Sequence, residues 1–223
     1  MNLGVATRRV ILGVVVVIAV IGALVTASSS ALTNAPKEAK PFWSVSIAVV
    51  GDSYSAGSNN RVVWPTLLAQ RTGWSVANFA LPGAGFAADG QGGHAFSYQV
   101  DRAQQAHPHA IVIMSGVADE PFAWSGSVGE GAIDAINKIK LGDQRALVIG
   151  PTWYEIPVPA SVTSVSDQIR KTAEDARVPY LDALDPPWLT ADQMQPDLRG
   201  PTDVGQSVIA DKVAAWLRTQ LAE

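Results

Sequence analysis

From Ser46 onward the chain alternates between two hydrophobic rhythms. Short continuous apolar runs, rich in β-branched residues, occupy Ser46–Val50, Val76–Leu81, Ala110–Met114, Ala146–Ile149 and Pro179–Leu184. Runs of this length with few polar breaks predict strands buried on both faces. Between them apolar positions recur at helical spacing, with Ile133, Ile136 and Ile139 on one face and Val162, Val165, Ile169 and Ala173 on another. A last helix is predicted from Thr202 or Asp203, either of which can cap it, with Val204, Val208, Val213, Trp216 and Leu217 on its inner side. Trp64, Trp74 and Trp216 fall on element faces and are expected in the core. Strands and helices alternating in this way predict an α/β domain, a parallel sheet covered by helices on both sides.

The first residues break that rhythm. Arg8 and Arg9 precede an unbroken apolar stretch from Val10 to Ala27, and small residues follow at Val25-Thr26-Ala27 and Ser29-Ser30-Ala31. A basic head, an apolar segment and small residues form an export signal. The stretch is also nearly long enough to stay as a membrane-spanning anchor, which needs about 17–25 apolar residues. The chain therefore divides into a signal peptide or membrane anchor (1–31), a polar, proline-bearing linker (32–43) and one folded domain (44–223). Both alternatives place that domain outside the cytoplasmic membrane, secreted or membrane-anchored.

Composition narrows the chemistry. Hydrophobic residues make up 48% and charged residues 16%, which suits a packed core. The net charge of −4 offers no basic field for nucleic acid. With no cysteine, structural disulfides, thiolate metal sites and cysteine nucleophiles are excluded.

In a parallel sheet the ligand site lies beyond the carboxyl ends of the strands. The residues that follow the five runs are "GDSYSAG", "LPGAGF", "SGVADE", "GPTWYE" and "LDPPW". Ser53 in the first is either a nucleophile at a strand tip or, with Asp52, part of a helix cap. In the second, Gly83-Ala84-Gly85 with Ala88 satisfies a loose dinucleotide-binding pattern. That pattern requires a helix to begin at once, and "DGQGG" from Asp89 opposes one.

Gly51-Asp52-Ser53 is not the Gly-x-Ser-x-Gly elbow, because position 55 is serine. It resembles the first block of the SGNH, or GDSL, hydrolase family. Asn78, Ala80 and Gly83 resemble that family's Asn-x-Ala-x-x-Gly block, Gly116 and Asp119 its Gly-x-Asn-Asp block, and Asp197 its Asp-x-x-His block. The resemblance runs from Ser46 to Leu221. It implies a three-layer α/β/α sandwich on a five-stranded parallel sheet, with no metal and no organic cofactor. It also implies Ser53 as nucleophile, the Ser53 and Gly83 amides as oxyanion donors, and Asp197 as the acid that orients a histidine.

Two positions depart from the family pattern. Ala118 stands where the family has its oxyanion asparagine, and Gly200 where it has its histidine. Of the three histidines, His107 and His109 precede a strand and belong on the opposite rim, which leaves His94 as the possible substitute base. Tyr54, Trp124 and Trp153 follow strand ends and are expected to line the cleft. The expected function is an exported esterase scaffold, catalytically impaired, that binds a cell-envelope glycan or lipid. The alternative is an active serine esterase on acyl or acetyl esters, using Ser53 with a non-standard base. In either case the ligand is a small-molecule, glycan or lipid ester, and the membrane is a partner only if the N-terminal segment is retained.

Overall fold

A computed structural model describes residues 45–93 and 95–221. The signal or anchor segment, the linker and His94 lie outside the described residues. Five strands form one parallel sheet: β1 (Ser46–Gly51), β2 (Ser75–Asn78), β3 (Ala110–Met114), β4 (Arg145–Ile149) and β5 (Tyr180–Leu181). Their order is β2-β1-β3-β4-β5. Six helices join them: α1 (Ser53–Ala56), α2 (Trp64–Thr72), α3 (Phe96–Gln104), α4 (Ser127–Leu141), α5 (Ala160–Asp175) and α6 (Asp203–Leu221).

The central strands carry apolar side chains toward both faces, so each face needs a cover. Ala48, Val50, Ile111 and Ile113 pack with Phe96, Val100, Ile136, Ile139, Val165 and Ile169 of α3, α4 and α5. Ile47, Val49, Val112 and Met114 pack with Trp64, Leu68, Ile209, Val213 and Leu217 of α2 and α6. The result is the expected three-layer α/β/α sandwich. Among the described residues no helix is long and apolar enough to cross a membrane.

Local polar bonding corrects several expected boundaries. The fifth strand shrinks to two residues because the Asp182 carboxylate accepts the Leu184 amide at 2.8 Å and turns the chain away. Asn78 ends β2 in a similar way by accepting the Ala80 amide. On α4 the buried stripe runs through Val128, Ala132, Ala135, Ile136 and Ile139, which leaves Ile133 on the edge, 36% exposed. In α6 the inward positions of the first turn are Gly205 and Gln206, so Val204 faces out. No helix follows the glycine run at 83–85, because α3 starts only at Phe96. The site a dinucleotide would need is therefore missing there.

With β1 at the point where the strand order reverses, the loops after β1 and β3 splay apart and open a crevice. Ser53 follows β1, and Gly116 to Asp119 follow β3.

Candidate active site

Ser53 begins the four-residue helix α1 directly after β1. Asp52 caps that turn: its Oδ1 accepts the Tyr54 amide at 2.9 Å, and its carbonyl accepts the Ser55 and Ala56 amides. The Ser53 amide stays outside these bonds, free to face a ligand, as first-turn amides do. The cap reading of the motif is met by Asp52, and the turn that it caps begins at Ser53. Two buried glutamines, not singled out from the sequence, lock the platform. Gln99 of α3 bonds both the amide and the carbonyl of Gly51, at 2.9 and 3.0 Å. Gln206 of α6 accepts the Trp64 amide and donates to the Tyr54 carbonyl. A lone polar residue inside an apolar helical stripe was the available signal for each.

The Gly83 amide donates to Ser53 Oγ at 3.0 Å. Its φ of 72° lies in the left-handed region that glycine enters without strain, and this turns the amide toward the serine. The loop that carries it is held from the loop after β3 by Asp119, whose carboxylate accepts the amides of Phe86, Ala87 and Ala88 at 2.7–2.9 Å. Asp119 is almost fully buried, and burial pushes its carboxyl upward against those three bonds. Burial likewise pushes Asp52 up to about 7, helped by the Asp119 charge and opposed by bonds from the Tyr54 and Val117 amides. Gly116 is required beside it, since a Cβ there would stand 1.8 Å from Asp52 Oδ2.

An open cleft of about 350 Å³ lies over Ser53, lined by Tyr54, Gly83, Val117, Ala118, Glu120, Trp153, Leu198 and Arg199 among others. Trp153 sits in its wall, stacked on Tyr154 with ring centroids 4.7 Å apart. Tyr54 is only 1% exposed and packs into the layer under α6, so it offers the cleft little of its ring. Trp124 is not among the cleft-lining residues. The turn at Glu120–Phe122 buries Ala123 and leaves Trp124 outside, 74% exposed.

At the far side of the cleft, Asp197 is exposed and its Oδ1 accepts the Arg199 amide at 3.1 Å. This tight turn, with Leu198 at φ 56°, brings Leu198 and Arg199 into the cleft wall. Gly200 follows, with its carbonyl bonded to the Gln195 amide. His109 Nδ1 bonds Ser46 Oγ at the start of β1, the opposite end of the strand that delivers Ser53. Six residues of strand, at ~3.3 Å each, separate them by about 20 Å. His107 lies on the same far rim, just before β3. Neither described histidine reaches Ser53.

The comparisons agree with this fold. A model of the GDSL-like lipase/acylhydrolase family matches residues 49–207. Among solved structures the chain is similar to the psychrotrophic esterase EstA of Pseudoalteromonas sp., at 17% identity and TM-score 0.64, covering 80% of this chain and 99% of that one. It is similar to the acetyl xylan esterase AlAXEase at 16% identity and TM-score 0.62, covering 77% and 98%. A family two carbohydrate esterase of Clostridium thermocellum, solved with cellohexaose, matches at 13% identity and TM-score 0.61, covering 80% and 65%. Among curated protein sequences none matches the chain.

Proposed function

The chain belongs to the GDSL-like lipase/acylhydrolase family, and from that premise we propose an exported member whose esterase scaffold is catalytically impaired and which acts by binding an ester-bearing glycan or lipid of the cell envelope. The observation that carries this reading is the environment of Ser53. Its Oγ receives the Gly83 amide, while position 200, three residues after Asp197, is a glycine with no proton acceptor. A serine hydroxyl is a weak nucleophile at its own pKa and needs an adjacent base. Ala118 at the cleft wall has no side-chain donor for an oxyanion, and losing one such donor costs roughly 10²–10³ in rate. A binding role is supported by the Gly83 amide at Ser53, an aromatic wall at Trp153 and an open cleft. The similar structures include esterases of acetyl xylan and of carbohydrate, which supports an ester-bearing sugar as ligand.

A competing reading makes the chain an active esterase with His94 as base. It is favoured by the chain on either side of position 94, where the Gln91 amide bonds the Pro82 carbonyl and the Phe96 amide bonds the Gly85 carbonyl. Both contacts tie that stretch to the loop bearing Gly83. Hydrolysis of p-nitrophenyl acetate by the wild type, Ser53→Ala, His94→Ala and His107→Ala separates the two. Impairment predicts a wild-type rate equal to that of Ser53→Ala, with acetylated xylo-oligosaccharides still bound in calorimetry. Ser53-dependent hydrolysis overturns it, and its loss in His94→Ala but not His107→Ala assigns the base.

A further inference from the structure

Resting on the reading that this cleft binds an ester, we propose that the ligand also carries an anionic carboxylate or phosphate group, received by the Arg199 guanidinium while the Trp153 indole N–H donates to the same ligand. Two independent features point there. The first is Trp153 Nε1, a buried donor in a cleft-lining residue that has no hydrogen-bond acceptor among the described residues. Buried indole N–H groups ordinarily find an acceptor, and leaving one unmatched is unfavourable. Stacking on Tyr154 fixes the ring, so the donor cannot easily swing to find a protein partner. This nitrogen is closed to solvent, so an acceptor oxygen on a ligand satisfies it as the lining around the ring shifts to admit the ligand.

The second feature is Arg199. It lines the same cleft, and its guanidinium makes no ion pair or hydrogen bond among the described residues. Its backbone is nevertheless held firmly, by the Asp197 carboxylate on its amide and by the Leu198 amide on the Gln195 carbonyl at 2.8 Å. An uncommitted guanidinium on a fixed backbone is a donor fork whose geometry suits planar or tetrahedral anionic oxygens.

Neither acidic group of the cleft pairs with it among the described residues. The Glu120 carboxylate is engaged by Ser161 Oγ at 2.7 Å. Asp52 is buried beneath the Tyr54 and Val117 amides, and its burial favours the neutral form. Arg199 is thus the cleft's one charged group without a partner among the described residues.

The test measures binding to Ser53→Ala, so that turnover cannot intervene, using matched neutral and anionic esters. Monomethyl glutarate is compared with its neutral amide, methyl 4-carbamoylbutanoate, and 2-acetoxyethyl phosphate with 2-acetoxyethanol. A charge-assisted contact should make the anionic member of at least one pair bind about tenfold tighter, and which pair responds separates carboxylate from phosphate. Arg199→Gln should reduce the ratio to about one, Arg199→Lys should keep part of it, and Trp153→Phe should weaken both members of a pair alike. Equal affinities within both pairs, or a preference that survives Arg199→Gln in a protein with unchanged circular dichroism, overturns the inference. Failure of the impaired-esterase reading appears elsewhere, as Ser53-dependent turnover of a neutral ester by the wild type. In that case the anion preference is read as a ratio of kcat/KM.

Discussion

If the platform retains hydrolase geometry, restoring two side chains should restore chemistry, and Gly200→His with Ala118→Asn is the perturbation that asks this. Position 200 admits a side chain: its φ lies outside the left-handed region, and a Cβ built there meets no atom within 4 Å. Its one backbone bond, from the Gln195 amide, does not depend on the side chain. Replacing glycine by a side chain that fits also trims unfolded-state entropy, so stability should hold or rise slightly. Asp197 already stands three residues upstream. Its Oδ1 takes the Arg199 amide, which leaves Oδ2 for an imidazole N–H. A complete triad contributes up to about 10⁶ in kcat and one oxyanion donor roughly 10²–10³, though the effects of such a unit are not additive. Asp197 is exposed, and a hydrated carboxylate orients and charges an imidazole less firmly than a buried one. Discounting half of the triad effect for that leaves an expected gain of about 10³, or about 4 kcal/mol in barrier height. The assay is p-nitrophenyl acetate hydrolysis by parent, double variant, and double variant with Ser53→Ala, with thermal melts alongside. The rate of the double variant should rise with pH through the usual imidazole range near ~6.5. A folded double variant without gain, or one that keeps its gain without Ser53, refutes the reasoning.

Three further outcomes are expected. Asp119→Ala strips the acceptor from the amides of Phe86, Ala87 and Ala88 and should cost about 3–5 kcal/mol in urea unfolding, at ~1–3 kcal/mol per buried donor left unmatched; a loss under 1 kcal/mol would show that the loop is held by something else. Asp52 has a folded pKa near 7, above its ordinary 3.8, so the folded state holds this proton more tightly than the unfolded one. Stability should therefore fall as pH rises from about 4 through about 7, by up to about 4 kcal/mol at ~1.4 kcal/mol per unit, with buried Asp119 acting in the same direction; urea midpoints that rise from pH 5 to 8 would contradict this. Export predicts an N-terminus near Leu32 in secreted material if the signal is cleaved, or a membrane-bound chain if it is retained. A soluble cytoplasmic chain with intact Met1 contradicts both.

The architecture was legible because strand burial on two faces leaves so little freedom in sequence. Ala110–Met114 could be read to its exact ends, since five apolar residues in a row admit no register but a central one. Elements near the sheet's edge were harder. The fifth strand and the end of the second are set by Asp182 and Asn78, single side chains that accept an amide two residues on. Such local competition with the ladder leaves no trace in hydrophobic periodicity. Ile133 and Val204 show the complementary limit, because a helical stripe is wider than one residue and its edge is decided by the neighbouring layer. Trp124 failed as a cleft residue for a similar reason: one turn of 3₁₀ helix decides whether it or Ala123 faces inward.

Within the site, the parts that could be read from sequence are those the fold cannot relinquish. Gly116 leaves no room for a Cβ against Asp52, Gly85 would bring one to 2.2 Å from Asp119 Oδ1, and Asp119 in turn carries the loop that aims Gly83 at Ser53. A change at any of these disturbs two strands' loops together. Positions 118 and 200 are of another kind. Ala118 lines an open cleft and Gly200 has no neighbour within 4 Å of its missing side chain, so neither identity is demanded by packing. Chemistry at such positions can change while the platform stays whole. A motif match therefore reports the platform faithfully and leaves the activity to whatever occupies the unconstrained positions. Gln99 and Gln206 make the same point from the other side: fully buried and bonded to the backbone on either flank of Ser53, they hold the Ser53 turn in place whether or not a base is there to use it.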